Sequence, residues 1–548
     1  MDKIALLLII ILTWFYFSIK RAKFFLHMLQ LEGYIGRKYI KWLNKSEKAY
    51  SHKLIKSLVL LSIVTLVYVV LANLIIDSFL LALRIIYYLI WTVLLIINSS
   101  IQMEETKKSL VFTSRAKRLF ATNILVNLTL ILTVLALYRL YVGISLSYVP
   151  LVLYLYFMIF ILQSHTIYIS NLLNKPIEMS IYRYYYQKAQ KKIDNMNKLQ
   201  VVGITGSFGK TSTKFITATI LKQEYKVLTT PESYNTPMGI SKVINENLTD
   251  NYEVFVAEMG ARNIGDIREL AKLTKPTIGV ITSIGPTHLE TFKNIDNIMK
   301  TKYELIEELP PEGIAIFNYD NKYVKKLADK TFKEKILFGI EDVEKLDLYA
   351  ENIQTTEEGT VFTIKDKKGN SIQCKTKLLG KHNIYNILAG ACVAIALGLN
   401  LEQIRKGIEK IEPIPHRLNI INPGTGITII DDSFNSNPIG AKAALEVLQQ
   451  FKGGKKIIVT PGMVELGERQ DEANREFGMN IAKVCDYVIL VGKHITKSIY
   501  EGLLEAGYNE EHIFVVNTLK DATAIIQKIA KPKDIILFEN DLPDNYYV

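Results

Sequence analysis

Cysteine is scarce: Cys374, Cys392 and Cys485 are the only three in 548 residues. They are too far apart for a C-x-x-C pair or a zinc-binding spacing, so neither a disulfide framework nor a cysteine metal centre organises the chain. Three reduced, packed cysteines suit a cytoplasmic catalytic part. The features of a cleaved signal peptide are also missing. Only Lys3 precedes the first apolar run, Ile4 to Ser18, and no small-x-small site follows it, which favours a signal-anchor helix. No nucleic-acid motif accounts for the net charge of +12. A second ATPase motif of the transporter type is absent.

What is abundant is apolar sequence. Mean hydropathy is +0.16, high for a soluble enzyme. Beyond the first run come Leu58 to Ile75, Phe79 to Ile97, Leu119 to Leu137 and Leu146 to Leu162. Each is long enough to cross a hydrocarbon core of about 30 Å, so five transmembrane helices are expected. Arg84, inside the third, must face protein or snorkel. The loop after the first run carries Lys20, Arg21 and Lys23 among other cations. The loop after the third carries Lys107, Lys108, Arg115, Lys117 and Arg118, and the segment after the fifth carries Lys175, Arg183, Lys188, Lys191 and Lys192. The hairpin tips have only Asp77 and Arg139. Positive-inside orientation puts the basic loops and the large C-terminal part in the cytoplasm and the N-terminus outside. The basic excess then faces anionic lipid.

The rest of the chain is organised around Val201 to Lys214, V-V-G-I-T-G-S-F-G-K-T-S-T-K. A β-rich run enters a glycine turn, and an amphipathic helix leaves it near Lys210. Backbone N–H groups of a turn built on Gly206, Ser207 and Gly209, with the helix dipole, form a phosphate cradle. Lys210 would reach the β- and γ-phosphates of ATP, with Thr211 on Mg²⁺ and Ser212 beside it. The general phosphate-loop pattern has a glycine where Ile204 stands. An ordinary strand–helix turn is a poorer account, since a lysine at a helix N-terminus opposes the dipole unless an anion is bound.

From Leu199 onward short strands alternate with amphipathic helices, the pattern of an α/β protein with largely parallel sheets. Residues 345 to 378, polar and alternating with a turn at Glu357, read as a small antiparallel insertion, and Pro413 and Pro415 suggest a boundary. The expected domains are a membrane region over 1–170, a connector over 171–198, a central nucleotide-binding domain over 199–413 and a Rossmann-like domain over 414–548.

Several residues after strands could act with the loop. Glu258 ends a strand, where α/β sheets place ligand chemistry, and suits Mg²⁺; by position alone it is equally a surface loop residue. His288 also follows a strand, although a lone histidine is more often structural. Lys302 alone reads as a solvated helix lysine. Asn383 and Asn386 open a helix, which they could cap, or they could bond an adenine edge. Arg417 suits a phosphate clamp. Asp431 and Asp432 precede Asn435 and Asn437, and Asn437 with Pro438 reads as a helix start.

T-G-S-F-G-K-T-S, E-M-G-A, S-I-G-P-T-H-L-E, G-K-H-N-I-Y-N, P-H-R-L, D-D-S-F-N-S-N-P and G-M-V-E-L-G occur in one order from about Gln200 onward. Together they resemble the Mur ligase family of ATP-dependent amide ligases, and within it the branch that adds D-alanyl-D-alanine. The resemblance implies an acid–amino-acid ligase of peptidoglycan or related envelope synthesis. ATP phosphorylates a carboxylate, and an amine then attacks the acyl phosphate. It assigns Gly206, Ser207, Gly209, Lys210, Thr211, Ser212, Asn383, Asn386, Arg417 and Asp432 to ATP. It assigns Thr211, Glu258, His288 and a carbamylated Lys302 to Mg²⁺, with Lys210, His288 and Lys302 catalytic. Domain closure would assemble the site.

The family's N-terminal domain, which holds the UDP of a soluble precursor, is replaced here by the apolar runs. I-L-F-E-N-D-L-P stands where that branch has a K-G-S-R-type stretch. The expected partners are therefore a small-molecule or lipid-linked carboxylate, an amino-acid or dipeptide amine, the membrane and proteins of cell-wall synthesis, with no nucleic acid. The rivals are a polymerising ligase of the poly-γ-glutamate or folylpolyglutamate type, a transport ATPase and a nucleotide-dependent scaffold.

Overall fold

Two units divide the chain, a helical one over Met1–Ile181 and an α/β one from Tyr182 onward. The computed structural model describes all residues except 1–2, 47–50, 73–76, 100–108, 143–147, 233, 357–358, 435–436, 465 and 542–548. Lys107, Lys108, Glu357 and Asn435 therefore lie outside the described residues.

The helical unit is built of the helices Lys3–Leu31, Gly36–Lys45, His52–Ala72, Asp77–Ser99, Ser114–Val142 and Val149–Ile161, and the first part of Gln163–Asp194. By length and composition, three described helices can cross a membrane: His52–Ala72, Phe79–Ser99 and Ser114–Tyr141. The fifth expected run is different. It forms a helix of 13 residues, Val149–Ile161. At 1.5 Å per residue that is about 20 Å, too short to span alone. The chain then bends by 64° into Gln163–Asp194, and the pair counts as at most one further span. The first run lies on a helix that continues through Lys20, Arg21 and Lys23 to Leu31. By length and composition, the described residues hold three candidate spans, or up to four if the bent pair is one; the start of the first expected run lies outside the described side chains.

Large apolar side chains such as Ile63, Leu66, Leu81 and Leu125 face outward, as lipid-exposed positions would. Inside, the indoles of Trp14 and Trp91 donate to the carbonyls of Tyr156 and Leu153 at 2.6 and 2.7 Å. Asn123, Asn127, Gln163 and Thr166 form a buried hydrogen-bonded seam. Arg84 donates to the Tyr68 hydroxyl at 3.3 Å, so the costly cation of the third run has a protein partner.

In the α/β unit, one sheet contains β1 (Gln200–Thr205), β2 (Val227–Thr229), β3 (Val254–Glu258), β4 (Ile278–Ile281), β5 (Ile314–Asn318), β6 (Lys335–Gly339), β7 (Leu348–Thr356), β8 (Gly359–Asp366) and β9 (Ser371–Thr376). Their order is β2-β3-β1-β4-β5-β6-β7-β8-β9. Pairing is parallel as far as β7 and antiparallel beyond it. The stretch expected as a small antiparallel insertion is antiparallel and extends the main sheet. Val202 and Ile204 enter the core on one face and Val201 the core on the other, as a strand buried on both sides requires.

The second sheet contains β10 (Asn419–Ile421), β11 (Thr428–Asp432), β12 (Lys456–Thr460), β13 (Tyr487–Val491), β14 (Ile513–Val516) and β15 (Ile535–Glu539), in the order β10-β11-β15-β12-β13-β14. Only β10 runs antiparallel.

The end of the helix Gln163–Asp194 belongs to the α/β unit and lies along the helix Asp266–Thr274. Tyr182 bonds the Glu269 carboxylate, Tyr186 donates to the Glu269 carbonyl at 3.0 Å and Gln190 donates to the Lys272 carbonyl at 3.0 Å; Asp194 pairs with Lys275. Contacts every fourth residue are what one helical stripe presents. The expected connector is thus divided at Ile181, with its second part built into the α/β unit.

Candidate active site

β1 lies between β3 and β4, and the chain leaves it in the crevice beyond the strand ends, where open α/β sheets bind ligands. The glycine loop follows at once. Gly206 and Gly209 have φ of +154° and +78°. A Cβ on Gly206 would lie 2.1 Å from Thr282 Oγ1. The close approach exists because Thr282 donates to the Phe208 carbonyl at 2.5 Å and Ser207 N donates to the Ser283 carbonyl at 2.6 Å, bracing the loop from β4. Ile204 lies fully buried within β1, opposite Glu258, which is why no glycine is needed there.

The helix Lys210–Leu221 starts directly at the loop. Lys210 Nζ turns back to the carbonyls of Gly206 and Ser207 at 2.9 and 3.3 Å. Burial lowers its pKa, with Glu258 opposing and Arg417 adding to the shift. An ammonium held at the glycine loop, beside the N-terminus of the helix that follows, is placed to meet phosphate.

A cleft of about 530 Å³ opens over this loop. It brings together Gly206, Ser207, Gly209, Lys210, Thr211, Ser212, Glu258, His288, Lys302 and Arg417. The β1–β3 register, Ile204 opposite Glu258, places that carboxylate beside the loop. Glu258 is 1% exposed, accepts from Asn235 Nδ2 at 3.0 Å and pairs with Lys214 at 3.4 Å. His288 has φ of +50° and precedes the short helix Leu289–Phe292. Lys302 is buried on the helix Ile295–Glu307, correcting the reading of a solvated lysine. Burial, then the nearby Lys210, lowers Lys302 to about 7. Arg417 lies over the Phe434 ring at 4.3 Å and reaches the cleft from the second sheet's side.

Three expected site residues lie behind the cleft wall. Asn386 accepts from Thr213 Oγ1 and donates to Asn383 Oδ1, both at 3.1 Å, and Asn383 donates to the Leu379 carbonyl at 2.9 Å. These bonds brace the phosphate loop. Asp432 accepts from Leu418 N at 3.2 Å, and burial raises its carboxyl to about 6 against the pull of Arg417. Asn437 caps the helix Pro438–Gln450 as its sequence position suggested.

Lys214, Asn235, Arg262 and Glu304 carry no role in the sequence pattern. Glu304 accepts from Gly265 N and Arg268 N at 2.8 and 3.0 Å, capping the helix Asp266–Thr274 from another element. Lys214 stands one turn after Lys210 on the same helix face, and that spacing was the available signal. Asn235 and Arg262 line the cleft from loops whose sequence carries none.

Among the described residues no group of three or more His, Cys, Asp and Glu side chains is arranged to hold a metal. The Thr211 hydroxyl and the Glu258 carboxylate are nevertheless hard oxygen donors on one cleft, and Mg²⁺ commonly takes one or two protein groups with phosphate oxygens completing its shell. The donor set fits Mg²⁺ held jointly with a nucleotide.

A braced phosphate loop, an acidic residue one strand away and an arginine from a second α/β domain define an ATP-dependent ligase. Comparison with known proteins agrees. Residues 204–394 match the Mur ligase middle domain, and residues 416–539 match the Mur ligase glutamate ligase domain. A UDP-N-acetylmuramoyl-tripeptide--D-alanyl-D-alanine ligase of Bacillus subtilis is 30% identical over 62% of this chain and 72% of that protein. The ligase of the same name from Escherichia coli is 33% identical over 54% of this chain and 65% of that protein. The ADP complex of the MurF ligase from Thermotoga maritima superimposes with a TM-score of 0.60 at 27% identity, covering 66% of this chain and 81% of that one. MurF from Acinetobacter baumannii gives 0.59 at 26% identity, covering 66% and 77%. The chain belongs to the Mur ligase family and is a MurF-like, ATP-dependent acid–amino-acid ligase.

Proposed function

We propose that this chain is a membrane-tethered ligase that uses ATP and Mg²⁺ to join a carboxylate of a cell-wall precursor to an amino-acid or dipeptide amine. The observation that carries this is the meeting of Lys210, Thr211, Glu258, His288 and Lys302 with Arg417 in one cleft. The triphosphate lies over residues 206–212, held by loop N–H groups and the helix dipole. Lys210 exchanges its two loop carbonyls for phosphate oxygens. Arg417 neutralises charge on the transferring phosphoryl group once the two domains enclose it, and water is excluded. Thr211 and Glu258 would hold Mg²⁺, with His288 lining the same cleft; when bound, the ion would supply Lewis-acid stabilisation of that charge. A lysine titrating near 7 offers a neutral amine to CO₂, which supports Lys302 as a carbamate and thereby an added oxygen donor. Asn383 and Asn386 serve ATP by holding its loop, and Asp432 by orienting Arg417.

The sheet order supports the side from which the acceptor enters. Asn235, Thr236, Arg262 and Asn263 line the cleft from the loops after β2 and β3, across from the β4 side. Amide, hydroxyl and guanidinium groups suit an anionic acceptor. The relatives named above act on a UDP-linked muramoyl tripeptide and D-alanyl-D-alanine, and the acceptor here belongs to that class, free or lipid-linked. The outward-facing apolar helices and the basic loops support a cell-membrane location with the ligase in the cytoplasm.

Purified full-length protein with ATP, D-alanyl-D-alanine and either the soluble UDP-tripeptide or its lipid-linked counterpart tests this. Product mass and ADP release should depend on both acceptor and amine, with a single addition. Acceptor-independent ATP turnover sinks the reading, and a ladder of products supports the polymerising rival.

A further inference from the structure

Lys214 is fully buried and the ligase mechanism above does not use it. It stands on the phosphate-loop helix, yet its ammonium meets two other elements. It pairs with Glu258 Oε2 at 3.4 Å at the end of β3 and donates to the carbonyl of Glu232 in the loop after β2. Asn235, three residues on in that loop, occupies the other Glu258 oxygen at 3.0 Å. The loop is seated closely: a Cβ on Gly260 would lie 2.7 Å from the Asn235 side chain, and Gly260 N donates to the Asn235 carbonyl at 3.0 Å.

Cations crowd Glu258, although Asp266 and Glu269 line the same cleft. Lys210, Lys214, Lys302 and Arg417 each interact electrostatically with this one carboxylate. Breaking a buried ion pair strands a charge, so Lys214 holds Glu258 firmly. A divalent cation approaching Glu258 alone meets a carboxylate already neutralised, among further cations. A triphosphate over the loop reverses that balance, because its charge compensates Lys210 and Arg417 and its oxygens complete the metal shell.

We propose that Lys214 is a positioning residue that makes divalent-cation binding at Glu258 conditional on bound nucleotide. It locks the carboxylate between the phosphate-loop helix and the loop after β2, so nucleotide and metal enter together. This rests on Glu258 as a metal-site residue, and the experiment separates the two claims.

Mn²⁺ is the probe, titrated against full-length protein in detergent and followed by paramagnetic resonance, with thermal unfolding as the folding control. The wild type should bind Mn²⁺ at least about tenfold more tightly with the non-hydrolysable ATP analogue AMPPCP than without nucleotide. Lys214→Met, which keeps the volume and removes the charge, should gain at least about tenfold in nucleotide-free Mn²⁺ affinity, shrinking that coupling. A folded Lys214→Met variant that binds nucleotide-free Mn²⁺ within about twofold of the wild type overturns the proposal. So does nucleotide-free wild type that binds Mn²⁺ as tightly as the AMPPCP complex, an outcome that needs no variant to fold. Glu258→Gln should lose nucleotide-dependent Mn²⁺ binding; if binding persists, the metal role of Glu258 fails and the proposal falls with it.

Discussion

Asn386 Oδ1 fills the space that a side chain at Gly209 would need: a Cβ there would lie 2.5 Å from it. Gly209 also has φ of +78°, a region that disfavours every residue with a Cβ by roughly 1–2 kcal/mol. Gly209→Ala should therefore open the loop and raise the KM for ATP at least about tenfold, while the sheet stays folded. Steady-state kinetics with circular dichroism would check it; an unchanged KM means the loop does not need this approach.

The Lys210 ammonium lies on the loop carbonyls of Gly206 and Ser207. Lys210→Ala should cut acceptor-dependent ADP formation by a factor of about a thousand or more, as loss of a charge-stabilising group at a phosphoryl transfer does. Turnover at the wild-type rate is the contrary result.

Lys302 is lowered to about 7 by burial and by Lys210. In the unfolded chain a lysine titrates near 10.4. Between those values the unfolded state holds the extra proton, so stability rises with pH through that window and is lowest below pH 7, where the fold must bury an ammonium. Lys302→Met should stabilise the protein below pH 7 by on the order of a few kcal/mol, and the gain should fade as pH rises towards 10. Thermal melts in bicarbonate-free buffer across pH 6 to 10 read this directly; a gain independent of pH argues against a buried, titrating lysine.

Tyr182 ties the end of the long helix to Glu269, which lines the cleft. A hydrogen bond to a charged group contributes about 1.5–3 kcal/mol. Tyr182→Phe should raise the KM for the acceptor several-fold and leave the KM for ATP unchanged, because Glu269 stands on the β3 side of the cleft. Equal changes in both constants would point to general loosening instead.

Much of the fold was readable because its strands are short β-branched runs bounded by turns. Ile278–Ile281, Ile314–Asn318, Lys456–Thr460, Tyr487–Val491 and Ile513–Val516 are such runs, and each forms a strand. Val227–Thr229 and Asn419–Ile421 are strands of three residues, too short to show a period. Residues 345–378 read as antiparallel, as β7, β8 and β9 are, but their attachment to the main sheet depends on β6 pairing in parallel with β7, a register that residue types alone do not reveal. In the helical part, apolar length suggests five spans, and it shows neither the 64° bend between Val149–Ile161 and Gln163–Asp194 nor the continuation of the first helix to Leu31.

By itself, the sequence determined the phosphate loop, the order of ligase motifs and the apolar N-terminal region, because each is a local pattern of residue types. Tertiary structure decided what the charged residues do. Lys302 reads as solvated until the helix Ile295–Glu307 buries it. Lys214 is one more lysine on a helix until β1 and β3 pair in the register that brings Glu258 to it. Burial and charge pairing depend on which distant segments meet, and no local pattern contains that information.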